Sequence, residues 1–343
     1  MFGDVITNAS SSEYELELLL HDDLLKTIVF VNAIISAVIG LAGVVFNLIN
    51  ITVFIKMGFG EFTNISLLCL AVADVGSLMF LSGVVVVYNP LMLQTADADL
   101  LSTMCYLTVA VPHVCFSEIS GCCNVVLALE RFLCIAVPHR VKSLVTSKRV
   151  VLVNVFIFVY IIVVKLIGYI GYGIPGTTYN SPNNSTAATF GPTALSKMLD
   201  SISTIIDNFT QLTTFPLMIG ITAMKIRIFK KATSWRLSVT SSSQGNTMSK
   251  RETKLSKIVI TISIVYIVCN TPPFLATWVM FLIPDFSLTG SYREVFIATF
   301  TVLFNIDAIN SIMPFLIYLN MSTKFKETVK TLTLNRFRYS NKQ

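Results

Sequence analysis

A few charged and polar side chains stand inside long apolar runs, and these are the residues whose types and spacing could do chemistry. Asp74 lies in LCLAVADVGSL, while Ser120 and Asn310 belong to two later apolar runs. A carboxylate with hydroxyl and amide oxygens at one depth makes an oxygen-donor site for a small cation such as sodium, or a hydrogen-bonded water network with no ion. Glu118 and Lys165 sit in successive runs, and pairing them is the simplest way to satisfy two charges removed from water. Glu130 and Arg131 stand side by side in VVLALERFLCIAVPHR, and Glu252 lies in KRETKLSKIV at the head of another run. His113 is one helical turn before Ser117, and Asp307, near Phe300 and Phe304, could face the same cavity. None of these residues has the spacing of a nucleophile and base, a metal cluster or a phosphate loop, which argues against an enzyme. No cofactor or metal beyond sodium is expected.

These side chains must be positioned by elements that tolerate an apolar surrounding. Of the 343 residues, 54% are hydrophobic and 13% charged, with a mean hydropathy of +0.73. A soluble domain has about a quarter charged. A membrane-spanning helix needs about 20 mostly apolar residues, and such stretches occur at 28–55, 64–88, 104–134, 149–173, 198–226, 255–283 and 293–319. The expected fold is an all-α membrane protein, a seven-transmembrane helix bundle followed by a short amphipathic helix. In STKFKETVKTLTL, Phe325, Val329 and Leu332 recur at helical spacing with lysines between them, as in a helix lying on a membrane surface. The domain plan is an extracellular segment at 1–27, the bundle at 28–319, and a cytoplasmic helix and tail at 320–343. The segment before the first span has no basic n-region, so no cleaved signal is expected.

Orientation follows from Lys and Arg, which are retained on the cytoplasmic side. All 25 except Lys26, Lys165, Lys197 and Arg293 fall on one set of alternate connections or the C-terminal segment. The N-terminus is therefore expected outside and the C-terminus inside, in a multi-pass plasma-membrane protein. The net charge of +6 reflects topology and attraction to anionic inner-leaflet lipid rather than nucleic acid. Asn8, Asn183 and Asn184 are glycosylation sequons on the expected outer face. Cys105 alone lies near the outer boundary, so no disulfide within the chain is expected.

The order of motifs resembles the rhodopsin-like (class A) family of G-protein-coupled receptors over nearly the whole chain. Gly43 and Asn47, LAVAD ending at Asp74, and ERFLCIAVP with Glu130, Arg131 and Phe132 are similar to the first three span signatures. Pro216, Pro272 in CNTPP, and NSIMPFLIYL ending near Tyr318 are similar to the last three. Departures are Asn270 for an aromatic, Phe158 for a tryptophan, Met224 for a tyrosine, and four residues rather than three from Pro314 to Tyr318. The divergent end and short inner loop resemble invertebrate, particularly molluscan, chemosensory or peptide-type receptors. The resemblance implies an extracellular peptide or small-molecule ligand, a heterotrimeric G protein, and arrestin as partners.

It also implies a switch in which Arg131 pairs with Glu130 and Glu252 at rest and exchanges them for Tyr318 and a G protein, as the sixth helix swings about Pro272. Glu252 stands twenty residues before Pro272, about 30 Å along a helix, level with Arg131. Ligand candidates are His113, Ser117, Asn208, Leu212, Phe274, Thr277, Phe304 and Asp307. His113 stands where amine receptors place an Asp, which disfavours a simple monoamine. The alternative from another class is a polytopic transporter or channel, which would need polar residues threaded through the full thickness.

Overall fold

The computed structural model describes residues 2–83, 106–137, 140–171, 176–180, 185–189, 194–239, 250–287 and 290–340, without the side chains of 2–23, 106, 142, 171–194, 196, 197, 200, 232–252 and 333–343. Among the described residues, seven helices are long and apolar enough to cross a membrane. In chain order they are Phe2–Met57, Phe62–Ser82, Val111–Ala136, Ser147–Gly171, Ala194–Val239, Lys250–Leu282 and Arg293–Met321, called here the first to seventh helices. A π-helical turn at Tyr106–Ala110 leads into the third, and one turn of helix at Val141–Leu144 precedes the fourth. Thr323–Ser340 forms the helix after the bundle. Its Phe325 is fully buried against the core, with Val329 and Leu332 beside it, while Lys324 and Lys326 are exposed.

Two features go beyond the sequence expectation. The first helix begins at Phe2 and runs unbroken through the segment set apart as 1–27; its Glu and Leu residues favour helix, so nothing in that stretch ends it. The connection between the fourth and fifth helices holds an antiparallel hairpin, Gly176–Asn180 against Ser185–Thr189. Neighbouring Thr177 and Thr178 are β-branched and suit an extended chain. The sequons Asn183 and Asn184 fall between those strands, outside the described residues, as do Cys105 and the side chain of Asn8.

The second and third helices form the spine. More than half of their apolar cores is buried, 56% and 61%, against 22% for the fourth and 28% for the sixth. The fourth turns Leu152, Phe156 and Ile170 outward, all at least 66% exposed, as a lipid-facing helix should. Close approach of the inner helices depends on small residues. A Cβ on Gly43 would stand 2.7 Å from Leu78 of the second helix and 2.9 Å from Ile312 of the seventh. Asn47 ties the first helix to the seventh, its Nδ2 donating to the Gly43 carbonyl of its own helix at 3.1 Å and to the Ser311 carbonyl at 2.9 Å. The turn after the first helix uses Gly58 at φ +81°, a conformation open to glycine, and Asn64 Nδ2 donates to its carbonyl. Pro216, Pro272, Pro273 and Pro314 lie inside helices, where each removes a backbone hydrogen bond.

Candidate functional site

A cavity of about 270 Å³ opens among the third to seventh helices. Its lining follows helical repeats. The third helix supplies His113, Ser117, Glu118 and Gly121; the fourth, Lys165; the fifth, Asp207, Asn208, Thr210, Gln211 and Thr214. The sixth supplies Tyr266, Asn270, Pro273 and Thr277, and the seventh Phe300, Phe304 and Asp307. Spacings of three and four residues put these side chains on one face of each helix. Thr277 Oγ1 donates to Gln211 Oε1 at 2.8 Å, joining the sixth and fifth helices across the cavity wall.

Two sequence candidates fall outside this wall. Phe274 stacks on Phe215 with ring centroids 4.5 Å apart and meets Trp278 edge-on, and Leu212 is not among the lining residues. Each neighbours a lining residue in sequence, Pro273 and Gln211, but one step along a helix turns a side chain by about 100°. His113, Ser117, Asn208, Thr277, Phe304 and Asp307 all line the cavity.

The structure brings Glu118 and Lys165 together and adds a third member. Lys165 Nζ lies 3.0 Å from Glu118 Oε1 and 2.7 Å from Asp207 Oδ2. Asp207 was not singled out from the sequence; an acid within the fifth apolar run, in TIIDNFT, was the available signal. The three side chains are 19%, 11% and 22% exposed for Glu118, Lys165 and Asp207, so one ammonium serves two largely buried carboxylates. On the opposite wall His113 is buried, with Nδ1 2.8 Å from Ser77 Oγ and 3.1 Å from the Ser77 carbonyl. Its Nε2 stands 3.6 Å from Asp307 Oδ2, and its ring meets Phe304 edge-on.

Below the cavity, Asp74 Oδ1 accepts from Ser120 Oγ at 2.7 Å. Asp74, Ser120, Asn124 and Asn310 line one gap with Met313 and Pro314. The oxygens suit a hard cation, but the gap is too narrow to admit a water-sized sphere. Within it Asn124 Nδ2 also donates to the Ser120 carbonyl at 3.2 Å.

At the far end, Glu130 and Arg131 are both buried, at 3% and 5% exposure. Glu130 Oε1 accepts from Ser66 Oγ at 2.5 Å, and Asn154 Nδ2 reaches the same hydroxyl at 3.5 Å. Arg131 lies over the Phe62 ring, 5.3 Å from its centroid, a cation–π contact. The expected ion pair between Glu130 and Arg131 is therefore not made: successive helical residues do not face each other, and each turns to a different partner on the second helix. Glu130 Oε2, Arg131 Nε and the Tyr318 hydroxyl are buried without a hydrogen bond. Tyr318 packs against Phe54 and Phe325, within electrostatic reach of Arg131, Glu130 and Glu61. Glu252 falls inside the sixth helix, but its side chain lies outside the described residues.

Residues 47–318 match the family described as 7 transmembrane receptor (rhodopsin family). The chain belongs to that family. No curated protein matches it. As a rhodopsin-family receptor the protein is a multi-pass membrane protein of a signalling rather than an enzymatic family. The departures noted in the sequence acquire locations in this receptor. Asn270 lines the cavity and donates to the Tyr266 carbonyl. Met224 faces outward at 44% exposure, while its neighbour Lys225 is fully buried and donates to Ser263 Oγ at 2.7 Å. Phe158 packs on the central core.

Proposed function

We propose that the protein binds an extracellular ligand in the cavity of the third to seventh helices and activates a heterotrimeric G protein through a switch centred on Arg131. The N-terminus is outside and the C-terminus inside on this reading, and arrestin and membrane lipid meet the inner face. The observation that supports the switch most is the set of unfilled hydrogen-bonding groups around Arg131. A buried polar group without a partner costs about 1–3 kcal/mol, so three in one region describe a packing that another conformation can better satisfy. Glu252, in the helix that carries Pro272 and Pro273, is the acid assigned to hold Arg131 at rest. Ligand binding shifts the equilibrium between the two states by its differential affinity for them.

The test is nucleotide exchange on a co-reconstituted G protein. Glu252→Ala should raise ligand-free exchange, and an unchanged basal rate would remove the lock. The Asp74 region acts on this reading as a packed hydrogen-bond network, a reading supported by its closed gap. Replacing sodium by potassium should leave the unfolding midpoint unmoved.

A further inference from the structure

We propose that the cavity takes a small organic cation, an alkylammonium or guanidinium compound with two cationic centres. This deepens the receptor reading above and rests on it. The wall charges do not balance: three carboxylates, Glu118, Asp207 and Asp307, line the cavity with one ammonium, Lys165, which pairs with the first two, and one imidazole, His113, beside the third. One carboxylate charge is left over at the Lys165 cluster. A second sits at Asp307, whose Oδ2 accepts no hydrogen bond and has the Nε2 of the buried His113 3.6 Å away. Two anionic positions on one cavity call for two cationic groups.

An independent observation points the same way. Tyr266 is 6% exposed, lines the cavity, and its hydroxyl makes no hydrogen bond among the described residues. It stands over Gly121, where a Cβ would come within 2.8 Å of the oxygen. The oxygen opens on the cavity, where a ligand N–H can donate to it.

The donors of the wall are mostly engaged within the protein. Lys165 serves two acids, Thr277 donates to Gln211, and the Asn270 amide donates to the Tyr266 carbonyl. Thr210 and Thr214 bond back to their own helix. Ser117, Asn208 and Gln211 offer both donors and acceptors and discriminate little. What remains is a surface that accepts hydrogen bonds and carries excess negative charge, which rejects an anion by leaving it opposite carboxylates. At about 270 Å³ the space is below the usual range of about 300–1,000 Å³ for ligand pockets, so the ligand is compact.

Full-length receptor in lipid nanodiscs is titrated with 1,4-diaminobutane and 4-guanidinobutylamine, with 1,4-butanediol and succinate as neutral and anionic counterparts of similar length. The cations should raise the unfolding midpoint saturably, and the diol and succinate should not. Asp307→Asn should weaken the half-saturating concentration about 10-fold or more, the scale of one lost charge contact. Tyr266→Phe, which keeps the ring, should weaken it by about 3-fold or more. No stabilisation by either cation, equal stabilisation by the diol or succinate, or an unchanged response in both variants overturns the proposal. Basal nucleotide exchange in the same nanodiscs separates the two readings. Exchange without cation binding sinks the cavity chemistry alone, and cation binding without exchange sinks the receptor reading alone.

Discussion

Replacing Lys165 by Met should be among the most damaging changes in the bundle. The ammonium is 3.0 Å from Glu118 and 2.7 Å from Asp207, and its side chain is 11% exposed. Removing one partner of a buried ion pair typically costs about 3–5 kcal/mol, because the remaining charge is left unpaired in low dielectric. Here two carboxylates lose their counter-charge at once and then repel each other. At about 2 °C per kcal/mol for a large domain, the midpoint of thermal unfolding should fall by roughly 6–10 °C. The triple variant Glu118→Gln, Lys165→Met, Asp207→Asn removes every charge together, and such replacements are often near neutral. It should regain most of the lost midpoint despite carrying more substitutions. The assay is thermal unfolding of purified protein in one lipid composition, with the single and triple variants side by side. A Lys165→Met midpoint within about 2 °C of the parent, about 1 kcal/mol, or a triple variant no better than the single, would refute the reasoning.

Four further outcomes are expected. Gly76→Ala places a Cβ 2.5 Å from the Phe116 ring, which stacks on Phe80; overpacking of this kind should cost about 1–3 kcal/mol in thermal unfolding, and Phe116→Leu in the same chain should restore part of it. Tyr318→Phe removes a buried hydroxyl with no partner, so resting stability should hold or rise by about 1 kcal/mol while ligand-stimulated nucleotide exchange falls. Ser66→Ala takes the donor from Glu130 and leaves both of its oxygens bare, lowering stability by about 1–3 kcal/mol; Glu130→Gln should soften that loss. Asn47→Ala breaks the bonds to the Gly43 and Ser311 carbonyls and should cost about 1–3 kcal/mol, read as a lowered unfolding midpoint.

The seven spans and the helix after them were legible in the sequence because hydropathy over about 20 residues depends only on local composition. Helix faces were harder. Glu130 and Arg131 looked like a pair because they adjoin in sequence, yet adjacency on a helix separates side chains by about 100°; Ser66 and Phe62, the partners they turn to, lie on another helix. Phe274 and Leu212 missed the cavity wall by a single position for the same reason. Asp207 needed the relative rotation of the fourth and fifth helices, which no single-helix pattern contains. The hairpin of 176–180 with 185–189 was hidden because Gly, Ser and Asn among its residues are the usual residues of turns and loops, so only pairing reveals the strands. Lys225, one residue from the position compared with the family's tyrosine, shows how a one-step rotation can change which side chain faces inward.

The outward face of the sixth helix makes the bilayer part of the machine. Val268, Phe281 and Leu282 are between 64% and 76% exposed, and only 28% of the helix's apolar core is inside the bundle. If the sixth helix swings as proposed above, it exchanges one set of acyl-chain contacts for another, and each ångström of thickness mismatch costs a fraction of a kcal/mol. On that proposal, acyl-chain length and sterol content would bias the resting equilibrium as a dissolved effector does.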